Sequence, residues 1–444
     1  MSDPILQIQK PALHILHHLQ KNGFEAAIVG GAVRDLLQGV SQEPGQPFFD
    51  YDFTTNATPD QIQSLFTESF YENEFGTVSV AFSHLQAQFG FSVTPTKPNF
   101  QTRTNRIIDL ANATKIHQSL VSEADAGTSS DLDSDSDSTP DTAADRFIPV
   151  YEITTYRSDG AYQDHRRPES VTWGKTLTDD VSRRDFTVNA MALLISQEVL
   201  ENALEQDTWL ISIEHYTLFD PFDGQTDLTN KYLKTVGIAA DRFQEDALRM
   251  LRAIRFAVQL DFSLDESITT AIRSQAQDIT HVSWERVHIE FMKMLASQKP
   301  AQAIRLLDET GLLEYIMPEL LDAKGVEQSG HHTTDVWTHS IDALENCPSP
   351  DPVVRLATLL HDIAKPATYQ NTNGAITFYN HEIVGSRIAK KIAQRLRLSK
   401  KDCDRVFTLV RFHMFHYQEH NTDAAIRRFM RKVGLDHIDD ILDL

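Results

Sequence analysis

Two carboxylates one residue apart, Asp50 and Asp52, follow by fifteen residues a stretch, Val29 to Asp35, that reads VGGAVRD. No other feature constrains the chain as much. Side chains alternate along a strand with period two, so an Asp-x-Asp on a strand turns both carboxylates to one face. Two hard oxygen donors side by side suit Mg²⁺, and a Gly-Gly break ahead of them lets backbone approach a phosphate. The pair alone is a weak signal, and the rest of the chain decides what it means.

The pattern around the pair is mixed. FEAAIVGG reads as a strand that breaks at Gly30-Gly31, AVRDLLQG as a helix ended by Gly39, and FDYDFTTN as the next strand. Thr58 with Pro59 behind it marks a helix start in TPDQIQSLF. GTVSVAF and YEITTYR read as a third and a fourth strand. Residues 9–22 read as a short amphipathic helix whose His14, His17 and His18 are structural. Between the last two strands lies an insertion, residues 84–150. Its first part carries scattered Phe, Val and Ile with room for an added hairpin. Its second, about 121–145, is acidic and poor in large apolar groups, and is read as a disordered loop. From about residue 230 the period becomes helical, with Leu248, Leu251, Ile254 and Val258 on one face of EDALRMLRAIRFAVQL.

A chain of 444 residues exceeds one core, so two to four domains are expected. No run reaches the roughly eighteen apolar residues that a membrane span needs. The first twenty residues lack a basic start and long apolar region, so no secretion signal is read. Cys347 and Cys403 fit no zinc spacing and read as reduced residues of a cytoplasmic protein. The net charge of −22 argues against a polyanionic partner until its distribution is considered. Residues 123–145 hold eight acids and no base, whereas 386–433 hold thirteen Lys or Arg against four acids. Such asymmetry fits either a nucleic-acid contact or solvated helix faces.

Two further constellations carry chemistry. In SRRDFTVNAMALL, Arg183 and Arg184 offer forked cations for phosphate and Asp185 a carboxylate for ribose hydroxyls; a local ion-pair cluster is the plainer alternative. In the last third, His339, the adjacent His361 and Asp362 with Lys365, His381 and His413 lie on separate helical segments that can close around a divalent metal.

VGGAVRD, DYD, FGTV, EITTYR, RRDFTVNAMA, FDPFDGQTDL and EDALRMLRAIRFA stand in one order. Together they resemble the class II tRNA nucleotidyltransferases, the CCA-adding enzymes and their poly(A) polymerase relatives. The resemblance covers about residues 23–82 and 150–444. It implies an α+β fold: a polymerase-β-like head with a small mixed sheet and helices (1–195), an all-helical neck and body (196–325), and a helical HD domain (326–444). Asp50 and Asp52 match the carboxylates that hold two Mg²⁺ ions, and Glu152 a third acidic position. Gly30, Gly31 and Arg34 match the triphosphate cradle, with Asp35 holding Arg34 or the turn. Arg183, Arg184 and Asp185 match the sugar and phosphate contacts, and Asn189 and Arg252 are taken with these motifs as nucleotide-binding. Asp220 and Gly224 fall in a motif thought to act as a spring.

Asp246 and Arg249, three apart on the helix read there, share a face. A carboxylate accepts from an exocyclic amine while a guanidinium donates to the neighbouring ring nitrogen, which admits cytosine and adenine and leaves uracil or guanine unpaired. An ordinary i, i+3 salt bridge is the alternative.

The order His339, His361-Asp362 resembles an HD domain, whose metal ligands these three residues match; its usual closing aspartate, from a late helix, is not placed in this sequence. A second divalent metal is therefore expected there, or a retained tRNA-binding scaffold. The resulting expectation is an enzyme that builds or repairs the 3′-CCA of tRNA from CTP and ATP. Its alternatives are an A-adding, CC-adding or poly(A)-adding relative, and an HD phosphohydrolase acting on RNA ends. The oligomeric state is left open.

Overall fold

The computed structural model describes residues 5–39, 51–66, 68–71, 76–91, 150–159, 171–174, 176–206, 210–212, 215–328, 334–372, 375–415 and 422–444. Asp50 and the acidic stretch 121–145 lie outside these. The chain packs as two compact units. One comprises Met1–Ser158, Val171–Arg184 and Val188–Gly224; the other Asp159–Ser170, Asp185–Thr187 and Gln225–Leu444. The division falls inside the Arg-Arg-Asp triplet.

The first unit is built on a seven-stranded sheet. Its strands are β1 (Ala26–Val29), β2 (Asp52–Thr55), β3 (Phe70–Tyr71), β4 (Thr77–Ala81), β5 (Val150–Thr155), β6 (Ala192–Ile195) and β7 (Tyr216–Phe219), in the spatial order β7-β6-β1-β2-β5-β4-β3. β1 is buried throughout, which is why it reads as a continuous apolar run and not an alternating one. Along β5 burial alternates, placing Tyr151 and Ile153 in the core and Glu152 on the other face. β2 and β5 run parallel with Asp52 opposite Glu152, while β1 runs antiparallel to β2 with Val29 opposite Asp52. β6 and β7 were not expected from the sequence, because NAMALLI offers an apolar run without the alternation that marks a strand.

Helices close the sheet. α1 (Lys10–Lys21) starts with Pro11 in its first turn and buries Leu13, Ile15, Leu16 and Leu19. Its His14 stacks on Phe89 and Phe91, and burial together with the nearby His17 and Lys10 charges lowers that imidazole to about 4. α2 (Gly31–Leu37) follows the glycine break directly. α3 (Pro59–Leu65) opens on a full capping box between Thr58 and Gln61, an arrangement worth about 1 kcal/mol. The segment after β4 is a helix, α4 (Phe82–Phe89), whose six side chains from Phe82 to Ala87 include no β-branched residue; the rest of the stretch with room for an added hairpin, from residue 92 on, lies outside the described residues. α5 (Leu177–Ser182) carries the approach to the two arginines.

The second unit is helical apart from short strand pairs. α6 (Leu248–Leu260) buries Leu248, Leu251, Ile254 and Val258 and packs against α7 (Trp284–Leu295). Further along come α8 (Val336–Asn346), α9 (Pro352–Leu360), α10 (His381–Arg395), α11 (Lys400–Phe412) and α12 (Asp423–Val433). Gly385 faces Ala364 and Val410, and a Cβ there would meet them at 3.5 and 3.6 Å, in ordinary van der Waals contact. Among the described residues no helix is long and apolar enough to cross a membrane, and Cys347 and Cys403 are both free and buried.

Candidate active site and a four-histidine centre

In the first unit the glycine break sets the geometry. Gly30 has φ +73°, a conformation that favours glycine. A Cβ on it would lie 2.9 Å from Arg184 Nη1 and 3.6 Å from Asp52 Oδ2, so the arginine and the carboxylate both close over this bare backbone. Asp52 and Glu152 stand opposite one another on parallel strands, both only partly buried. Hard oxygen donors beside a glycine cradle fit a small divalent cation. Asp50 lies outside the described residues.

The two arginines are held from below. Asp180, on α5, is fully buried and accepts from Arg183 Nη2 at 2.5 Å and Nε at 3.0 Å, and from Arg184 Nη2 at 3.2 Å. Burial alone would raise its carboxyl, but the Arg183 and Arg184 charges and their hydrogen bonds outweigh that and hold it below the usual carboxylate range. Arg34 is turned inward. It donates to Asn189 Oδ1 and to Asp35 Oδ1, each at 2.8 Å, and so braces the turn while only 8 % exposed. The Gly224 N–H donates to Asp220 Oδ1 at 2.7 Å, closing a turn around Asp223, whose φ is +57°.

Asp185 and Arg252 belong to the second unit and are each other's partners. Arg252 donates from Nε at 2.7 Å and approaches with Nη2 at 2.6 Å, while the Phe186 N–H caps the other oxygen at 2.9 Å. Asp246 departs from expectation. It is not on the helix with Arg249 but in extended backbone (φ −148°, ψ 103°) ahead of α6. There its carboxylate accepts from the Leu248 N–H at 3.1 Å. Aspartate favours such positions because its short side chain satisfies the free N–H groups of a helix start. The two oxygens also receive Arg286 at 3.2 and 2.7 Å, and Arg249 is paired with Glu245. The carboxylate and guanidinium are thus oriented by other partners, not by each other.

The second unit also holds a compact centre. His339 comes from α8, His361 and Asp362 follow α9, His381 opens α10, and His413 caps α11. One carboxylate oxygen of Asp362 faces His339 Nε2 (3.3 Å), His361 Nε2 (3.1 Å) and Lys365 Nζ (2.7 Å); the other faces His381 Nε2 (3.3 Å) and His413 Nε2 (3.7 Å). Two overlapping triads result, His339–His361–Asp362 and Asp362–His381–His413, each with donor atoms within 4.8 Å of one another. The outer nitrogens are committed: Nδ1 of His361, His381 and His413 lies 2.7–2.8 Å from the carbonyl three residues earlier. Such a carbonyl takes the Nδ1 proton and leaves the inner nitrogen with a lone pair for a metal. Burial with the His361 charge lowers His413 to about 4, which keeps it neutral as a ligand must be. Burial would raise Asp362, yet the His361 charge and the hydrogen bonds of His339, His361 and His381 hold it well below its ordinary value. Imidazoles with one carboxylate fit a divalent transition metal. Among the described residues no second aspartate joins these triads; His381 and His413 complete the centre.

Sequence reasoning missed Asp180, Glu245 and Arg286. Each sits within or near a motif, but only the fold shows which group its charge faces.

Comparison with known proteins agrees with this architecture. The poly(A) polymerase head domain model matches residues 26–137 and 107–234, the probable RNA- and SrmB-binding site of polymerase A matches 261–324, and the HD domain matches 331–434. The CCA-adding enzyme of Geobacillus thermodenitrificans is 35% identical over 306 residues, 69% of this chain and 54% of its own length. That of Staphylococcus aureus is 34% identical over 282 residues, 63% of this chain and 48% of its own. The chain thus spans about half the length of the curated relatives it matches. Among solved structures, the Bacillus stearothermophilus CCA-adding enzyme in complex with CTP aligns with a TM-score of 0.59 and 22% identity, covering 98% of this chain and 78% of that one. A Thermotoga maritima CCA-adding enzyme complexed with tRNA aligns with a TM-score of 0.51 and 16% identity, covering 98% and 79%. With the head, the RNA-binding segment and the HD domain matched in one order, the chain belongs to the family of the CCA-adding enzymes, as a member that carries an HD domain.

Proposed function

We propose that the chain builds or repairs the 3′-CCA end of tRNA from CTP and ATP. The observation that carries this reading is Asp52 in register with Glu152, beside the bare Gly30 backbone over which Arg184 closes. In the reaction a tRNA 3′-hydroxyl attacks the α-phosphorus of the nucleotide, a new P–O bond forms, and pyrophosphate leaves. Asp50, Asp52 and Glu152 would hold two Mg²⁺ ions, which when bound supply activation of the hydroxyl and neutralisation of the leaving group. Gly30 and Gly31 leave room for the triphosphate, Arg183 and Arg184 lie ready for its charge, and Arg34 and Asn189 keep the turn in shape. Asp185 and Arg252 support the sugar site, and Asp246 and Arg249 read the base edge. The corresponding division is a head over 1–195, a neck and body over 196–325, and an HD domain over 326–444, in a cytoplasmic protein. The test is a tRNA lacking CCA incubated with CTP alone, ATP alone and both. Ordered addition of C, C and A supports the reading; long A-only tails overturn it in favour of a poly(A) polymerase.

A second reading concerns the four-histidine centre and is favoured by its five convergent ligands. It is a metal-dependent phosphohydrolase for RNA ends. Water adds to the phosphorus of a terminal 2′,3′-cyclic phosphate, one P–O bond to the sugar breaks, and the departing sugar oxygen takes the proton. Asp362 with His339 and His361, or with His381 and His413, would hold a divalent metal, which when bound would supply a nucleophilic water, and Lys365 stands beside Asp362 to meet phosphate charge. Phosphate-ester cleavage that persists in Asp52→Ala and disappears in His361→Ala would support it.

A further inference from the structure

The last long helix of the second unit has two contrasting faces. Ile426, Phe429, Met430 and Val433 repeat at helical spacing and turn inward, whereas Arg427, Arg428, Arg431 and Lys432 are all exposed. Arg427 has one distant partner, Asp423 at 3.9 Å; among the described residues no carboxylate pairs with the other three. A charged solvent face is ordinary on an amphipathic helix, but four cations without a close carboxylate make a strip of one sign. These four line one side of α12, with Arg427 and Arg431 about 6 Å apart along the axis.

The inward face fixes where that strip lies. Phe429 stacks on Phe415 at 3.7 Å with planes 14° apart, and meets Phe412 edge-on at 6.2 Å. Phe412 and Phe415 bracket His413 in the chain, and His413 is one of the ligands around Asp362. The stack therefore pins the basic helix to the segment that carries part of the centre. Two exposed side chains adjoin the ligands there. Met414, 63% exposed, follows His413 directly, and Tyr379, 71% exposed, precedes His381 by two residues. A small phosphate ester needs neither a cationic rail nor a lip of exposed large side chains. A nucleic-acid strand uses both, the rail for its phosphates and the lip for a terminal base.

We propose that α12 is an RNA-docking strip that serves the four-histidine centre: the strand backbone lies along Arg427, Arg428, Arg431 and Lys432 and delivers its 3′-terminal phosphate to the His413 side of the centre. The proposal rests on the phosphohydrolase reading for the fate of that phosphate, but not for the docking itself.

The test uses the full chain and the variant R427E/R428E/R431E, whose changes are all at the surface; unaltered thermal melting verifies its fold. Binding of a short RNA ending in a 2′,3′-cyclic phosphate is measured across a salt series, and Mn²⁺-loaded protein is assayed on that RNA and on a cyclic mononucleotide. The expected results are a log–log salt slope shallower by about two, three phosphates at about 0.7 each, and a fall of about tenfold in the ratio of kcat/KM for RNA to that for the mononucleotide, carried by KM. An unchanged ratio overturns the proposal, even if RNA binding weakens, because the strip then serves some other site. Loss of binding to an acidic peptide without loss of RNA binding also overturns it. A third readout separates docking from hydrolysis. Adding 3′-phosphorylated RNA to Co²⁺-loaded protein should shift the visible absorption of the ion, at about tenfold higher RNA for the variant. A shift in a protein that hydrolyses nothing retires the phosphohydrolase reading and retains the docking strip, whereas equal titrations for both proteins reject the strip.

Discussion

Asp180 shows how much a single buried charge can organise. It is fully buried, and Arg183 and Arg184 both reach back to it, so their positions depend on a residue that contacts neither metal nor substrate in the proposed reaction. Asp180→Ala should cost about 3 kcal/mol, because removing one member of a buried ion pair leaves the others uncompensated; urea unfolding would check it. The pH dependence has a defined sign. The folded carboxyl titrates below its unfolded value, so its contribution is complete above about pH 4 and is lost as the pH falls toward the folded pKa. The variant should lack that component of acid sensitivity. Gly30→Ala is expected to act differently. Its Cβ would meet Arg184 Nη1 at 2.9 Å in a backbone conformation that alanine resists, at a strain of about 1–3 kcal/mol. Nucleotide addition should fall further than the loss of stability explains, as kcat at a temperature well below the melting point would show. Gly30 was legible in the sequence because a glycine pair between an apolar strand and a helix has few other uses. Asp180 was not, because TLTDDVS reads as a capped helix start whichever way its acids point.

The start of α6 carries a second lesson. Helical spacing placed its apolar face correctly, with Leu248, Leu251, Ile254 and Val258 all buried, but extended the helix over Asp246. A carboxylate just ahead of a helix accepts from its first N–H groups, and this preference sets the helix start at Leu248, two residues after Asp246. The shift alters the argument about selection. Asp246 is aimed by the two-pronged contact from Arg286, and Arg249 by Glu245, so orientation comes from α7 and from the preceding helix. Arg286→Ala should let the carboxylate rotate and weaken discrimination against UTP and GTP by about tenfold, part of the roughly 1–3 kcal/mol that an unpaired buried edge costs. Incorporation from each single nucleotide would measure it, and unchanged discrimination would remove Arg286 from this role. The histidine centre was legible to a similar degree. Adjacent His361 and Asp362 announce themselves, whereas the inward direction of the Nε2 atoms of His361, His381 and His413 depends on three backbone carbonyls that no spacing reveals.

Two compact units, each with its own core, carry two groups of chemically different donors. The first offers carboxylate oxygens beside a glycine break, the second imidazoles around one carboxylate. These differ in the metals they prefer: hard oxygen donors suit Mg²⁺, and imidazoles suit later transition ions. Substitutions at distant sites that share no partner add nearly independently in free energy. Asp52→Ala should therefore abolish nucleotide addition and leave RNA-end hydrolysis, and His361→Ala should do the reverse. A metal titration sharpens the contrast. After exhaustive chelation, Mg²⁺ alone should restore addition but not hydrolysis, while Mn²⁺ or Co²⁺ should restore hydrolysis even in Asp52→Ala. Recovery of both activities by Mg²⁺ alone would show that one metal preference governs the whole chain, and loss of both in either variant would mean that a single site performs both reactions.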